Sequence, residues 1–113
     1  MQLKKNLYEG MFIISSTLSD EARQKSLDRI QASIAQRGGE IRKIHDRGRS
    51  RLAYEIDGHK EGHYFVLYFD LPPSEVNDLW SDYHLNEDLV RFMTTRTDEV
   101  MEVIEFKALS EEE

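Results

Sequence analysis

The chain opens on an alternating pattern. Residues 7–14, Leu-Tyr-Glu-Gly-Met-Phe-Ile-Ile, are rich in aromatic and β-branched side chains. A period of two puts Tyr8, Gly10, Phe12 and Ile14 on one face, which predicts a strand closed by Ser15, Ser16 and Thr17. The period then lengthens, with Leu27, Ile30 and Ile34 recurring at helical spacing. Ser19 stands where a hydroxyl can accept from an otherwise orphaned backbone N–H, Asp20 and Glu21 suit the positive helix start, and Gly38-Gly39 ends the helix. A second strand is expected over about residues 40–45. Its apolar residues, Ile41 and Ile44, fall off strict alternation, and Gly48 follows, so a bulge or bend is expected before Leu52, Ala53 and Tyr54 continue. Residues 56–59 read as a turn, and residues 62–71, the most apolar segment, as a third strand. Pro72 and Pro73 stop it, and Ser74 is expected to cap a second helix. There Val76, Leu79, Trp80 and Tyr83 form a one-sided stripe. Residues 89–97 make a last strand.

The resulting order, βαββαβ, with the handedness rule for its two crossovers, predicts an α+β fold. It is ferredoxin-like, a four-stranded antiparallel sheet with both helices on one face. One domain over residues 1–97 and an acidic C-terminal tail over 98–113, partly or wholly disordered, are expected. If Phe65, Leu67 and Phe69 point at the helices, then Tyr64, Val66 and Tyr68 point away, joined by Met11, Ile13, Arg91 and Met93. An uncovered face carrying several large apolar residues is more than solubility requires. Its tyrosines suit protein docking better than base stacking, since the interleaved basic and aromatic pattern of the common RNA-binding sheet is absent.

Composition narrows the class. A length of 113 residues at 39% hydrophobic suits one two-layer core. No apolar run approaches the roughly 20 residues of a bilayer span, and no apolar signal core follows Lys4 and Lys5. The chain has no cysteine, hence neither disulfides nor thiolate metal sites, and a cytoplasmic location is expected. The formal charge of −7 is unevenly placed. Residues 98–113 carry seven acids and one base, which leaves the remainder at −1. Residues 37–51 hold six bases against two acids, whereas residues 70–88 hold six acids and no lysine or arginine. Local sign decides whether a surface attracts a polyanion.

The segment from Arg42 to Arg51 is the strongest candidate chemistry. Arg42, Lys43, Arg47, Arg49 and Arg51 could fork onto phosphate oxygens, with Gly48 allowing close backbone approach. Equally, they could be a solvated edge strand guarded by charge against sheet-to-sheet pairing. Arg91, Arg96, Lys4 and Lys5 tilt the balance toward phosphate. Tyr8 falls on the helix-facing side, where a core role is the simpler reading. His59 and His63 straddle a turn without a third ligand, so no metal site is assigned. No carboxylate pair, nucleophile elbow or Gly-rich phosphate loop is present, so neither catalysis nor a cofactor is expected.

Four motifs stand in family order: Tyr8-Glu9, Gly48-x-x-Arg51-Leu52-Ala53-Tyr54, Gly62-x-Tyr64 and Val90-Arg91-x-Met93. Together they resemble the family of protein six of the bacterial small ribosomal subunit, over about residues 7–97. That resemblance implies the ferredoxin-like fold, no enzymatic activity, and assembly with small-subunit protein eighteen on the central domain of 16S ribosomal RNA. Carried over, its RNA-facing positions fall on Tyr8, Arg51, Arg91 and Arg96, with Lys5 in a short N-terminal extension. Arg42, Lys43, Arg47, Arg49, Tyr64 and Tyr68 would meet RNA or the partner. The chain departs from many members at Ser50, where they carry a second basic residue. A very basic partner could complement the acids of residues 70–88 or the tail. Two other readings stay open. One is a regulatory domain that homodimerises through its uncovered sheet and binds a small molecule. The other, an acylphosphatase-like enzyme, would need an arginine in the loop at Ser15, Ser16, Thr17 and Leu18, and that loop has none.

Overall fold

The computed structural model of the chain describes residues 4–56 and 58–101, the side chains at 53–56 and 59 excepted. Its elements follow the order that periodicity predicts: β1 (Asn6–Ser15), α1 (Asp20–Gln36), β2 (Glu40–Ile56), β3 (His59–Leu71), α2 (Val76–His84) and β4 (Leu89–Arg96). The four strands form one antiparallel sheet in the order β2-β3-β1-β4, which is the ferredoxin-like arrangement. The Ser19 hydroxyl accepts from the Ala22 N–H at 3.1 Å, as its position before α1 suggested. Ser74 does not cap α2. The prolines instead lead into a single 3-10 turn, Pro73–Glu75, and α2 starts behind it with no side-chain cap.

Register fixes which residues share a face. Tyr8 lies opposite Phe69, Gly10 opposite Leu67 and Phe12 opposite Phe65. With Ile14 and Leu71 these pack against Leu27, Ile30 and Ile34 of α1 and Leu79 and Tyr83 of α2. Burying each large apolar side chain contributes roughly 1.5–3 kcal/mol, so this layer dominates stability. A polar tie crosses it: the buried Asn86 amide donates to Ser26 Oγ at 3.2 Å and its Oδ1 accepts from the Asp88 N–H at 3.0 Å. That tie sets where β4 begins.

β2 runs unbroken through the expected bend. Its register against β3 shifts between Ile41 and Lys43 and again between Asp46 and Gly48, which makes Arg42 and Arg47 the extra residues of two bulges. Gly48 is needed for its φ of 78°, with Asp46 Oδ1 accepting from its N–H at 2.9 Å. It is not needed for close approach, because a Cβ there would meet nothing within 4 Å. Gly39 is the opposite case. A Cβ would lie 2.6 Å from Ile34 Cγ2 and 2.8 and 2.9 Å from the Asp70 and Ile34 carbonyl oxygens. Gly39→Ala is therefore expected to cost about 3 kcal/mol, since backbone cannot yield. Gly48→Ala is expected to cost about 1 kcal/mol, from the left-handed backbone alone. Urea denaturation of both variants checks the order, and a larger loss at Gly48 would contradict it.

Candidate nucleic-acid interface

The face of the sheet opposite the helices carries Ile13, Tyr64, Val66 and Tyr68, as alternation predicts, but it is not open. Tyr64 and Tyr68 are 0% exposed and Val66 3%. Ile13 and Tyr64 cluster with Leu52 and Val90. The chain beyond β4 turns back across the sheet. The Thr97 N–H still donates to the Leu7 carbonyl, yet four residues later the Met101 carbonyl lies 2.7 Å from His45 Nε2 on β2. Four extended residues reach about 14 Å, the width of three strand spacings of roughly 4.8 Å. His45 must donate in this contact, because a carbonyl only accepts. Tyr68 lies beneath, edge-on to the His45 ring, and its hydroxyl donates to Glu9 Oε2 at 2.5 Å. Tyr64 and Tyr68, expected to meet RNA or the partner, present no exposed surface on this face. Of the expected tail, residues 98–101 are thus placed on the sheet, and residues 102–113 lie outside the described residues.

The basic segment on edge strand β2 is partly engaged within the chain. Arg42 reaches Asp70 at 2.8 Å and Arg49 reaches Glu61 at 2.7 Å, both across to β3. The hydrogen bond to Asp70 and its charge hold the Arg42 guanidinium above its ordinary range. For these two arginines the charge-guarded edge is the better description. Arg47 and Arg51 are exposed and Lys43 is half-buried. His63 is not poised for metal. Its Nε2 lies 2.7 Å from Asp46 Oδ1 and its ring stacks on Phe65, while the side chain of His59 lies outside the described residues. Burial pushes the Asp46 carboxyl up, but hydrogen bonds from His63 and the Gly48 N–H outweigh it and hold it below 3.8.

The acidic stretch is also less available than its composition suggests. Arg37, at the end of α1, forks onto Asp82 with two bonds of 3.1 Å, and Glu75 and Asp78 stand at 3.7 and 3.8 Å. Its hydrogen bond to Asp82 raises its pKa. With Asp70 on Arg42, only Glu87 and Asp88 of that stretch make no ion pair among the described residues.

The remaining site residues do not form one patch. Tyr8 is 7% exposed and stacks on Phe69 at 5.9 Å, so its ring belongs to the core. Its register partner is Arg96, exposed on the helix side near the start of β1, where Lys4 and Lys5 are also exposed. Asp98 shares that end. Arg91 pairs with Ile13 and so lies on the other face, five residues from Arg96, about 16 Å along the strand. Beside Arg91 stands Met93, 51% exposed and opposite Met11. The stripe expected on α2 also divides: Leu79 and Tyr83 are buried, but Trp80 is 50% exposed and faces the flank of β4. Sequence reasoning missed this, although Trp80 and His84, four apart, mark a second line beside the core stripe.

The described residues thus form a four-stranded ferredoxin-like sheet whose exposed cations are divided between its faces. The profile described as Ribosomal protein S6 matches residues 7–96, and the chain belongs to that family. It is similar to small ribosomal subunit protein bS6 of Protochlamydia amoebophila, 64% identical, covering 99% of this chain and 98% of the relative. The bS6 of Chlamydia pneumoniae is 54% identical, covering 98% and 100%. The crystal structure of 30S ribosomal protein S6 from Thermotoga maritima matches with a TM-score of 0.79 at 33% identity, over 83% of this chain and 89% of that one. The C-terminal domain of MgtC from Mycobacterium tuberculosis, at 9% identity and a TM-score of 0.59, shares the fold alone. The chain is accordingly a small-subunit ribosomal protein and not an enzyme.

Tyr68 carries a pH test of the covered face. Burial and the bond to Glu9 push its hydroxyl up to about 12 from 10.0. A raised value means that the folded state keeps a proton the unfolded chain releases. Stability from this group is therefore complete below pH 10 and falls as pH rises toward 12. Tyr68→Phe is expected to lose about 2 kcal/mol at neutral pH, from the bond to a charged acceptor. It should also show a shallower alkaline loss in denaturation midpoints compared between pH 9 and 11. An unchanged alkaline slope would contradict the assignment.

Proposed function

We propose that this chain binds the central domain of 16S ribosomal RNA together with small-subunit protein eighteen, as a structural constituent of the small subunit. The observation that carries the proposal is the sorting of cations within a family member. Lys4, Lys5, Arg51, Arg91 and Arg96 are exposed and form no ion pair among the described residues, whereas Arg37, Arg42 and Arg49 hold the fold's own acids. From the first group Lys5, Arg51, Arg91 and Arg96 donate to RNA phosphates, and the RNA is read by shape rather than by sequence. Tyr8 acts through the strand register that places Arg96, not by stacking on a base. Arg47 and Lys43 extend the contact along β2 to RNA or partner.

The basic partner docks along the β4 side of the sheet, where Arg91, Met93 and Met11 remain accessible on the face that Met101 crosses. Glu87 and Asp88 lie at the start of the same strand and offer it complementary charge. The acid on the rest of this surface keeps the lone chain's attraction to RNA weak, so binding energy is shared between the two proteins. The runner-up, a homodimer with a small-molecule ligand, loses its main support because the tyrosines that would line its interface are buried.

Binding of a central-domain RNA fragment, measured against salt with and without the partner, tests the proposal. The lone chain should bind weakly and the partner should strengthen it. In the complex, Lys5→Gln and Arg96→Gln should each reduce the slope of log K on log salt by about 1. Tight, salt-insensitive binding by the lone chain, or recovery of the chain only as a soluble dimer away from small subunits, would overturn it.

A further inference from the structure

α2 has two unlike flanks. Toward α1 it presents Glu75 from the preceding turn, Asp78 and Asp82, all gathered on Arg37 within 3.8 Å. Toward β4 it presents none of these acids. A groove of about 350 Å³ there is lined by Val76, Asn77, Trp80 and Thr94, all uncharged. Its size is at the small end for a ligand site. Trp80 forms one wall. His84 at 4.3 Å and Phe92 at 5.8 Å meet it at steep angles, 88° and 73°, so neither lies parallel on the indole. The residue is half exposed, which is unusual for the largest apolar side chain of a soluble domain. Asn77 and Thr94 bring an amide and a hydroxyl to the same groove. Two residues beyond Thr94 on the same face of β4 is Arg96, exposed and cationic.

We propose that this groove receives one unpaired RNA base, stacked on Trp80 and edged by Asn77 and Thr94, with its phosphate held by Arg96. An aromatic platform beside a cation is the arrangement by which proteins hold single-stranded nucleic acid. Here the charge sorting argues for a nucleotide. A polyanion reaching this flank meets Arg96, while the helix's acids are turned away and neutralised by Arg37. An apolar peptide would leave Arg96 and the two polar groups without use. The inference rests on the RNA-binding reading above and adds to it a specific site for a base, on the helix side of the sheet.

Trp80 is the only tryptophan, so its fluorescence reports the groove directly. The full chain is titrated with fluorescein-labelled hexaadenylate for anisotropy, and with unlabelled hexaadenylate or inorganic tripolyphosphate for indole emission. Hexaadenylate should quench Trp80 saturably, and tripolyphosphate should not. Trp80→Ala should weaken hexaadenylate binding about tenfold, while Trp80→Phe, which keeps a ring, stays within about threefold. Equal binding by Trp80→Ala, or equal quenching by tripolyphosphate, would overturn the groove. So would quenching only by small-subunit proteins freed of RNA. Sedimentation of tagged wild-type chain with small subunits separates the two readings. Cosedimentation without quenching rejects the groove alone, whereas failure to cosediment rejects the ribosomal reading on which it depends.

Discussion

The antiparallel register of β1 against β3 is the constraint on which the rest of the structure depends. Ten consecutive pairs, from Asn6 with Leu71 to Ser15 with Gly62, decide the face of every central side chain. A slip of β1 by one residue would turn Tyr8, Phe12 and Ile14 away from the helices and drive Glu9 and Met11 toward them, while Phe65 and Phe69 of β3 kept their place. The large apolar residues on both strands, Tyr8, Phe12, Ile14, Phe65, Leu67 and Phe69, oppose that slip because the observed register gathers them into one core with the helices. The same pairing sets β4, since β1 is its only sheet neighbour among the described residues, and through β4 it assigns Arg91 to one face and Arg96 to the other.

Charge is arranged around that frame in two tiers. Arginines that close gaps in the fold are matched to acids from distant elements. Arg37 joins the end of α1 to α2, and Arg42 and Arg49 bind β2 to β3 at either side of the bulge before Gly48. Lys4, Lys5, Arg51, Arg91 and Arg96 form no ion pair among the described residues and are left to solvent or to a polyanion. An acidic chain can hold RNA on this principle because acids such as Glu61, Asp70 and Asp82 are matched to its own arginines.

Much of the fold was legible in the sequence because its signals are local. Ser19, Gly38-Gly39 and the alternation of residues 7–14 and 62–71 each specify an element through nearby backbone and side chains. The bulges were legible too, from Ile41 and Ile44 falling out of phase. The failures involve contacts distant in sequence. Tyr64 and Tyr68 point where alternation places them, but nothing near them announces that the chain after β4 returns as far as Met101 over His45. Trp80 fits the core stripe by spacing, and only the packing of α2 against β4 turns it outward. The basic segment reads as one patch in sequence, yet Asp70 and Glu61 on the next strand divide it. The resemblance to the ribosomal family came from motifs such as Arg51-Leu52-Ala53-Tyr54, which identify the chain without locating its contacts.

The central claim is that RNA meets the cations left unpaired by the fold, not those that the fold engages. Ultraviolet crosslinking in assembled small subunits, mapped residue by residue to RNA and to neighbouring proteins, tests it most directly. The account predicts RNA crosslinks at Lys5, Arg51, Arg91 and Arg96, protein crosslinks near Met93, and little RNA at Arg42 or Arg49. RNA crosslinks concentrated on Arg42 and Arg49, with none at Lys5 or Arg96, would contradict it.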